Sequence, residues 1–339
     1  MEGVVLFITL LLRQVMNNKI SIKEKMNQWG KTGIPFLFII DFELNKPLIF
    51  KTEEVDPQKL LYNINGKTNS KSSLKSIKNF DLIKHPESYE DYLVKFTRVR
   101  NEIELGNSYL LNLTCSTPVN TGFSLKDVFL NSKSKYNIWF DEKFVCFSPE
   151  TFVTIHNGVI RSFPMKGTID AMIPDAEKVI LNDPKETAEH YTIVDLIRND
   201  LSMVSKNVRV ERFRYIDVIE TNEKSLLQVS SEICGNLDDD YKSHLGDILF
   251  ELLPAGSISG APKKKTVGII STVEGSERGY YTGVFGIFDG YNLDSGVMIR
   301  FIENKNGNYF YRSGGGITAF SDPLSEYKEM IDKIYVPVI

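Results

Sequence analysis

Apolar positions along the chain follow two periods. Phe36-Leu37-Phe38-Ile39-Ile40-Asp41-Phe42 is a compact aromatic and β-branched run behind Gly33 and Pro35, which predicts a buried strand opening the ordered part of the chain. From Asn63 to Lys78 the composition shifts to Asn, Ser, Gly and Lys, which predicts a mobile loop or linker. Tyr92, Leu93, Phe96 and Val99 recur at helical spacing, so a helix is expected over 89–105, ended by Gly106. Strand-like runs follow at 108–114, 144–147, 152–155 and 159–163, then at 226–234, 282–289, 297–302 and 309–312. Many hairpin-like strands with fewer helices predict an α+β fold in which helices cover large, mainly antiparallel sheets.

With 339 residues, 42% of them hydrophobic, the chain can build one large or two ordinary cores. Forty basic against forty-four acidic side chains leave no basic footprint for nucleic acid or an anionic membrane, while small anionic substrates stay open. Cys115, Cys146 and Cys234 have no paired metal-type spacing, so neither a disulfide framework nor a zinc site is indicated, and a reducing cytoplasm is expected. The apolar run from Gly3 to Leu12 is too short to span a membrane, and Glu2 before it and Arg13-Gln14 behind it are not signal-peptide flanks. Met16 and Met26 are further candidate starts. Residues 1–25 are therefore expected to be an N-terminal extension, and 26–339 a single domain with a reduced N-terminal part over about 26–80.

Candidate chemistry lies in a few stretches. In Pro164-Met165-Lys166-Gly167-Thr168 a tight turn can present one amine, as a nucleophile or as an ordinary solvated lysine. Asp183-Pro184-Lys185-Glu186-Thr187-Ala188-Glu189 and Asp322-Pro323-Leu324-Ser325-Glu326-Tyr327-Lys328-Glu329 each open with a capping Asp and a Pro at the first helical position, then carry Glu-x-x-Glu. Residues three apart share a helix face, so the two helices offer four carboxylates. Such a set suits a hard cation, Mg²⁺ first among them; the same residues would otherwise be acidic first turns complementing helix dipoles. A di-iron bundle would want Glu-x-x-His, and His190 directly follows Glu189, so that spacing fails. The stretch from Pro254 to Lys263 lacks the Walker spacing but offers backbone N–H groups, two hydroxyls and a cation for a carboxylate or hydroxyl. Ser313 to Gly316 reads as a second donor loop or a linker-like glycine run, and Arg300 as a two-pronged carboxylate grip or a surface arginine. Asp195, Arg198, Asn199 and Asp200 form either a buried ion-pair network or a catalytic set.

Glu189-His190, Ile193 to Leu196, Arg198 to Leu201, Gly256 to Lys263, Gly314 to Ile317, Ser321-Asp322-Pro323 and Glu326-Tyr327-x-Glu329 resemble, in order, the motifs of the chorismate-utilising enzymes. Within that family Pro-x-Lys-Gly-Thr is similar to aminodeoxychorismate synthase component I, since anthranilate synthases tend to carry alanine at the lysine position. The resemblance implies one α+β domain, two large antiparallel sheets packed together with helices outside. It implies Mg²⁺ on Glu189 and Glu329, with Glu186 and Glu326 assisting through water. Arg300 and Tyr281 would hold the enolpyruvyl carboxylate, and Lys333 with the backbone of Gly315 and Gly316 the ring carboxylate. Ser259, Gly260, Lys263 and Thr168 would complete the substrate site. Glu150 would be the general acid and Lys166 the nucleophile, deprotonated with help from Lys263 or Arg161. Ammonia would come from a glutamine amidotransferase subunit, because none of the three cysteines has a nucleophile-elbow context. A separate lyase would be needed to make 4-aminobenzoate for folate. With no counterpart of the longer members' tryptophan-binding element, tryptophan inhibition is not expected.

Four departures stand against the pattern: Leu110 for a polar residue, Gln228 for a histidine, Phe301 for a threonine and Phe320 for an aspartate. Leu110 weakens an isochorismate synthase reading, and Gln228 weakens one in which pyruvate is eliminated. Anthranilate synthase component I and a non-catalytic chorismate-binding subunit remain as alternatives.

Overall fold

The computed structural model describes residues 19–71, 80–220 and 225–337. Among them are two nine-stranded antiparallel sheets. The first runs, in spatial order, Met165–Asp170, Ser225–Asn236, Val159–Ser162, Thr151–His156, Leu293–Val297, Val284–Phe288, Phe36–Ile40 and Leu48–Lys51, with Lys206–Glu220 also paired to Ser225–Asn236. The second runs Gly260–Ala261, Leu110–Asn120, Asn308–Ile317, Phe301–Lys305, Phe144–Ser148, Tyr136–Phe140, Leu60–Ile64 and Lys67–Thr68, with Ile83–Lys84 also on Leu110–Asn120. The α+β architecture with two packed sheets agrees with the sequence expectation.

The helices are α1 (described over 19–32), α2 (Tyr89–Glu104), α3 (Leu125–Asn131), α4 (Ala176–Asn182), α5 (Pro184–Ser202), α6 (Leu245–Leu252), α7 (Gly256–Ser259), α8 (Lys263–Glu274) and α9 (Pro323–Asp332). Strand alternation distributes the core. In the strand Phe36–Ile40, next to the edge of the first sheet, Leu37 and Ile39 join Tyr62, Tyr136, Phe285 and Phe301 between the sheets, whereas Phe36, Phe38 and Ile40 turn to the helical face with Phe96, Ile197 and Leu249. A strand buried on both faces reads as an unbroken apolar run, which is why its sequence signal was strong. The outer face of the second sheet buries Trp139, Val145 and Tyr311 under α3.

Several expectations need correcting. Residues 164–168 and 313–316, read as loops because of their glycines, lie in or at the start of strands Met165–Asp170 and Asn308–Ile317. The run 297–302 is not one strand: Leu293–Val297 belongs to the first sheet and Phe301–Lys305 to the second, and the chain crosses between them through Arg300 at φ +55. Part of the expected 63–78 loop is a hairpin, Asn63 pairing with Thr68 and Ile64 with Lys67; its residues 72–78 lie outside the described ones. Residues 19–25, expected outside the fold, are in α1, where Ile22 joins the core and Lys23 pairs with Asp247 at 2.7 Å. The apolar run at 3–12 lies outside the described residues, and no described helix is long and apolar enough to cross a membrane.

Arg278 locks these layers near the future site. It is 1% exposed, pairs with Glu274 at 2.6 Å and donates to the carbonyls of Ile258 (3.0 Å) and Asn112 (2.7 Å). One guanidinium thereby joins α8, α7 and strand Leu110–Asn120. Arg278→Ala would strand Glu274 without its buried partner and is expected to cost about 3–5 kcal/mol of folding stability, read by urea denaturation.

Candidate active site

Local sequence builds the two walls. The Asp183 side chain accepts the Glu186 N–H at 2.9 Å at the start of α5, and Asp322 accepts the Ser325 N–H at 2.9 Å at the start of α9, with Pro184 and Pro323 following each cap. Glu186 with Glu189, and Glu326 with Glu329, thus share a face on each helix.

Two strand edges close the space. Phe301 is the last residue of its strand to pair with Asn308–Ile317, opposite Arg312, so the edge from Ser313 onward is unpaired on that side; the opposite edge pairs Gly315 with Leu113 and Gly316 with Asn112. Met165–Asp170 is the terminal strand of the first sheet, and its register shifts between Met165 and Thr168 at Gly167, φ +88. That bulge re-aims Lys166. The Lys166 amine lies 2.6 Å from Glu189 Oε2. Lys333, at the C-terminal end of α9, lies 2.7 Å from Glu329 Oε1 and donates to the Gly314 carbonyl at 3.0 Å.

The glycines report how closely the walls approach. A methyl group at Gly167 would stand 2.9 Å from Glu186 Oε2, one at Gly315 would stand 3.0 Å from Glu326 Oε2, and one at Gly316 would stand 3.8 Å from Lys166 Nζ and 3.0 Å from Leu110 Cδ1. The four glutamates, Lys166, Lys333 and the glycine strand therefore line one space.

Burial works against the charge of Lys166, but Glu189, backed by Glu329 and Glu186, outweighs it and holds the amine above its ordinary pKa. Lys333 is held below its own by burial, aided by Arg300 and Lys166. Burial raises Glu186 and Glu326, reinforced by Glu189 and Glu329 respectively; at Glu329 burial is outweighed by Lys333, which keeps the group low. Glu189 is 9% exposed, and its Oε1 has no hydrogen-bond partner. Among the described residues no three acidic, His or Cys side chains are close enough to share an ion as they stand. The donor set nonetheless fits Mg²⁺, which takes hard oxygen ligands, uses one or two carboxylates directly and fills the rest with water. Glu189, with its orphaned oxygen, and Glu329 could hold it directly, Glu186 and Glu326 through water.

Glu150 follows strand Phe144–Ser148, and its Oε1 accepts the Ser257 hydroxyl at 2.5 Å. Burial lifts its pKa, more than Ser257, Arg300 and Lys333 lower it. Arg300 keeps an unpartnered Nε and sits 5.2 Å from the Tyr335 ring; Tyr281 is buried and hydrogen-bonds Thr114.

Other candidates are engaged elsewhere. The Ser259 hydroxyl donates to the Ala255 carbonyl at 2.8 Å, Gly260 pairs with Leu111, and Lys263 pairs with Asp200 at 3.0 Å. Arg161 pairs with Glu232 at 3.2 Å, so the cations that act on the Lys166 neighbourhood are Lys333 and Lys185, not Arg161 or Lys263. Thr168 is exposed and accepts from Gln228 at 3.5 Å. Asp195 and Arg198 form an exposed pair, while Asp200 turns inward. Phe301 stacks on Phe144 at 4.9 Å in the core between the sheets, which accounts for that departure; nothing in the structure explains Phe320, 84% exposed. Two partners were missed from sequence. Ser257 stood inside a noted motif without a role, and buried His190 meets Ser231 Oγ at 2.7 Å, whose N–H donates to the Pro164 carbonyl behind Lys166. Burial, with Arg214, pushes His190 down to about 4, so it is a neutral strut.

A family model described as chorismate binding enzyme matches residues 40–338. A PabA-like protein of Haemophilus influenzae is 49% identical over 315 residues, covering 93% of this chain and 96% of that protein. Aminodeoxychorismate synthase component 1 of Klebsiella aerogenes is 30% identical over 263 residues, 73% of this chain and 57% of that longer protein. The solved anthranilate synthase component I of Streptococcus pneumoniae superposes with a TM-score of 0.65 at 26% identity, covering 77% of this chain and 60% of that one.

Gly315→Ala places a methyl group inside the cleft without a backbone penalty. It is expected to keep the wild-type melting temperature and to lose about 100-fold in chorismate turnover, because ångström-scale misplacement of a bound reactant costs that order.

Proposed function

The chain belongs to the chorismate-binding enzyme family, and from that premise we propose that it aminates chorismate to 4-amino-4-deoxychorismate with ammonia supplied by a glutamine amidotransferase partner, on the route to 4-aminobenzoate and folate. The observation that carries the reading is the Lys166 amine, set 2.6 Å from Glu189 among four carboxylates rather than on a solvated turn. An amine there can act as a covalent nucleophile.

Lys333 and the free strand edge at Gly316 offer donors for the ring carboxylate, with Gly315, whose own N–H faces the neighbouring strand, leaving the approach open, and Arg300 with Tyr281 for the enolpyruvyl carboxylate. Mg²⁺ on Glu189 and Glu329, when bound, would supply positive charge to offset the ring carboxylate. Glu150, its pKa raised, holds the proton a departing ring hydroxyl needs. The Lys166 nitrogen bonds to ring carbon 2 while the bond from carbon 4 to oxygen breaks, and the hydroxyl takes the Glu150 proton and leaves as water. Ammonia then bonds to carbon 4 and the bond to the lysine nitrogen breaks. Attack needs the free amine, so Lys166 must first pass a proton to the Glu189 carboxylate 2.6 Å away, and that contact must then open.

Gln228 favours retention of the enolpyruvyl group, since its amide, paired with Thr168 beside Lys166, cannot act as a base at neutral pH. The ammonia source is external because glutamine hydrolysis commonly uses a thiolate paired with histidine. Burial raises the Cys115, Cys146 and Cys234 thiols, which donate to Glu87, the Ile299 carbonyl and Glu211.

Purified protein given chorismate, Mg²⁺ and ammonium is expected to form 4-amino-4-deoxychorismate; anthranilate or isochorismate as the main product would overturn the assignment, and binding without turnover, even with a glutaminase, would make it a binding subunit. Lys166→Ala should lose at least about 100-fold in rate and the substrate adduct seen by mass spectrometry of trapped enzyme. Full activity in that variant would remove the covalent step alone.

A further inference from the structure

We infer that Ser257 is a positioning residue for the Glu150 acid, presented to it by a helical turn that an ion pair between Asp200 and Lys263 holds in place. The inference rests on the proposed acid role of Glu150 and adds a residue to that site.

Ser257 lies on α7, which has four residues and too few hydrogen bonds to be stable alone. Its neighbours supply the rigidity. Asp200, buried on α5, pairs at 3.0 Å with Lys263, the first residue of α8, and the same ammonium donates to the Leu252 carbonyl at the end of α6 at 2.8 Å. One cation thus ties three helices around the turn. Gly256 packs so closely that a methyl group there would stand 2.7 Å from Asp200 Oδ2 and 3.2 Å from Leu196 Cγ. Within α7, Arg278 takes the Ile258 carbonyl at 3.0 Å and Ser259 Oγ donates to the Ala255 carbonyl at 2.8 Å.

Glu150 is fixed from the other side. Its N–H donates to Ser148 Oγ at 3.1 Å and its carbonyl accepts the Val297 N–H at 3.1 Å. Between these two anchored segments Ser257 Oγ meets Glu150 Oε1 at 2.5 Å, and among the described residues it is the side chain that hydrogen-bonds to this carboxylate. The charged groups acting on Glu150 are Arg300 at the crossing between the sheets and Lys333 at the end of α9; Asp200 lines the same cleft but is paired with Lys263.

The geometry defines a proton path. A hydroxyl donating to Oε1 leaves the acidic proton on Oε2. When that proton passes to the leaving hydroxyl, the acid's O–H bond breaks, a water O–H bond forms and negative charge appears on the carboxylate. The Ser257 hydrogen bond then becomes charge-assisted and strengthens as the transition state is reached.

The test follows ammonia-dependent chorismate consumption against pH, whatever the product, for wild type, Ser257→Ala and Ser257→Thr, with melting temperatures alongside. Removing a donor to the carboxylate raises the acid's pKa, so the alkaline limb of kcat, where the acid loses its proton, should move up by about one pH unit in Ser257→Ala. There kcat should fall about tenfold with KM little changed, and Ser257→Thr, which keeps the hydroxyl, should restore both. An unmoved limb and wild-type kcat in Ser257→Ala would overturn the proposal. So would a Ser257→Thr variant that melts like wild type yet is as slow as alanine. Wild-type protein that consumes no chorismate would sink the functional reading itself, a result separate from either of these.

Discussion

Charge crowded into one cleft is the constraint on which the rest of this structure depends. Glu186, Glu189, Glu326 and Glu329 converge from two helices onto strands that carry Lys166 and face Lys333, with Lys185 3.9 Å from Glu189 at the rim. Like charges at this range cost free energy unless they are offset. Three ammoniums leave the four carboxylates one charge short. A dicarboxylate substrate deepens the deficit, and Arg300 with a divalent cation would close it. On the proposed function, this charge balance is what would make an anionic substrate depend on an added cation, which the chain's overall negative charge alone would not suggest.

The fold supplies this convergence by making the two sheets exchange the chain next to the site. Leu293–Val297 ends in the first sheet, and after three intervening residues Phe301 begins in the second, with Arg300 at the crossing in a left-handed backbone conformation. A residue other than glycine held there implies that the surroundings determine it. Phe301, stacked on Phe144 between the sheets, and the Arg278 network below Tyr281 are such surroundings. Stability and site geometry therefore share the same residues.

What could be read in the sequence was local. The Asp-Pro caps and Glu-x-x-Glu faces of α5 and α9 are set by neighbours in the chain, and the structure reproduces them. Glycine misled the strand assignments, because Gly314, Gly315 and Gly316 lie in a strand whose bare surface admits Glu326 and Lys333, not in a loop. Partners across the fold were not legible. Ser257 lies 107 residues from Glu150, and nothing in either local sequence fixes their contact. Lys263 was expected to depress the Lys166 pKa, yet Asp200, on another helix, claims it.

The four departures from the family pattern bear on whether the cleft could have lost its chemistry. Phe301 fills the core between the sheets. Leu110 packs beside the Gly316 strand near the Lys166 amine, where an apolar wall withholds a base from water but not from the lysine. Gln228 replaces a histidine with a donor that pairs with Thr168. Phe320 lies on the surface, 84% exposed. None of the four is itself one of the carboxylates, lysines or arginines that line the cleft, so the departures leave the groups that the proposed amination needs in place. A site drifting free of selection would lose costly convergent charges first, because mutual repulsion penalises keeping them without use.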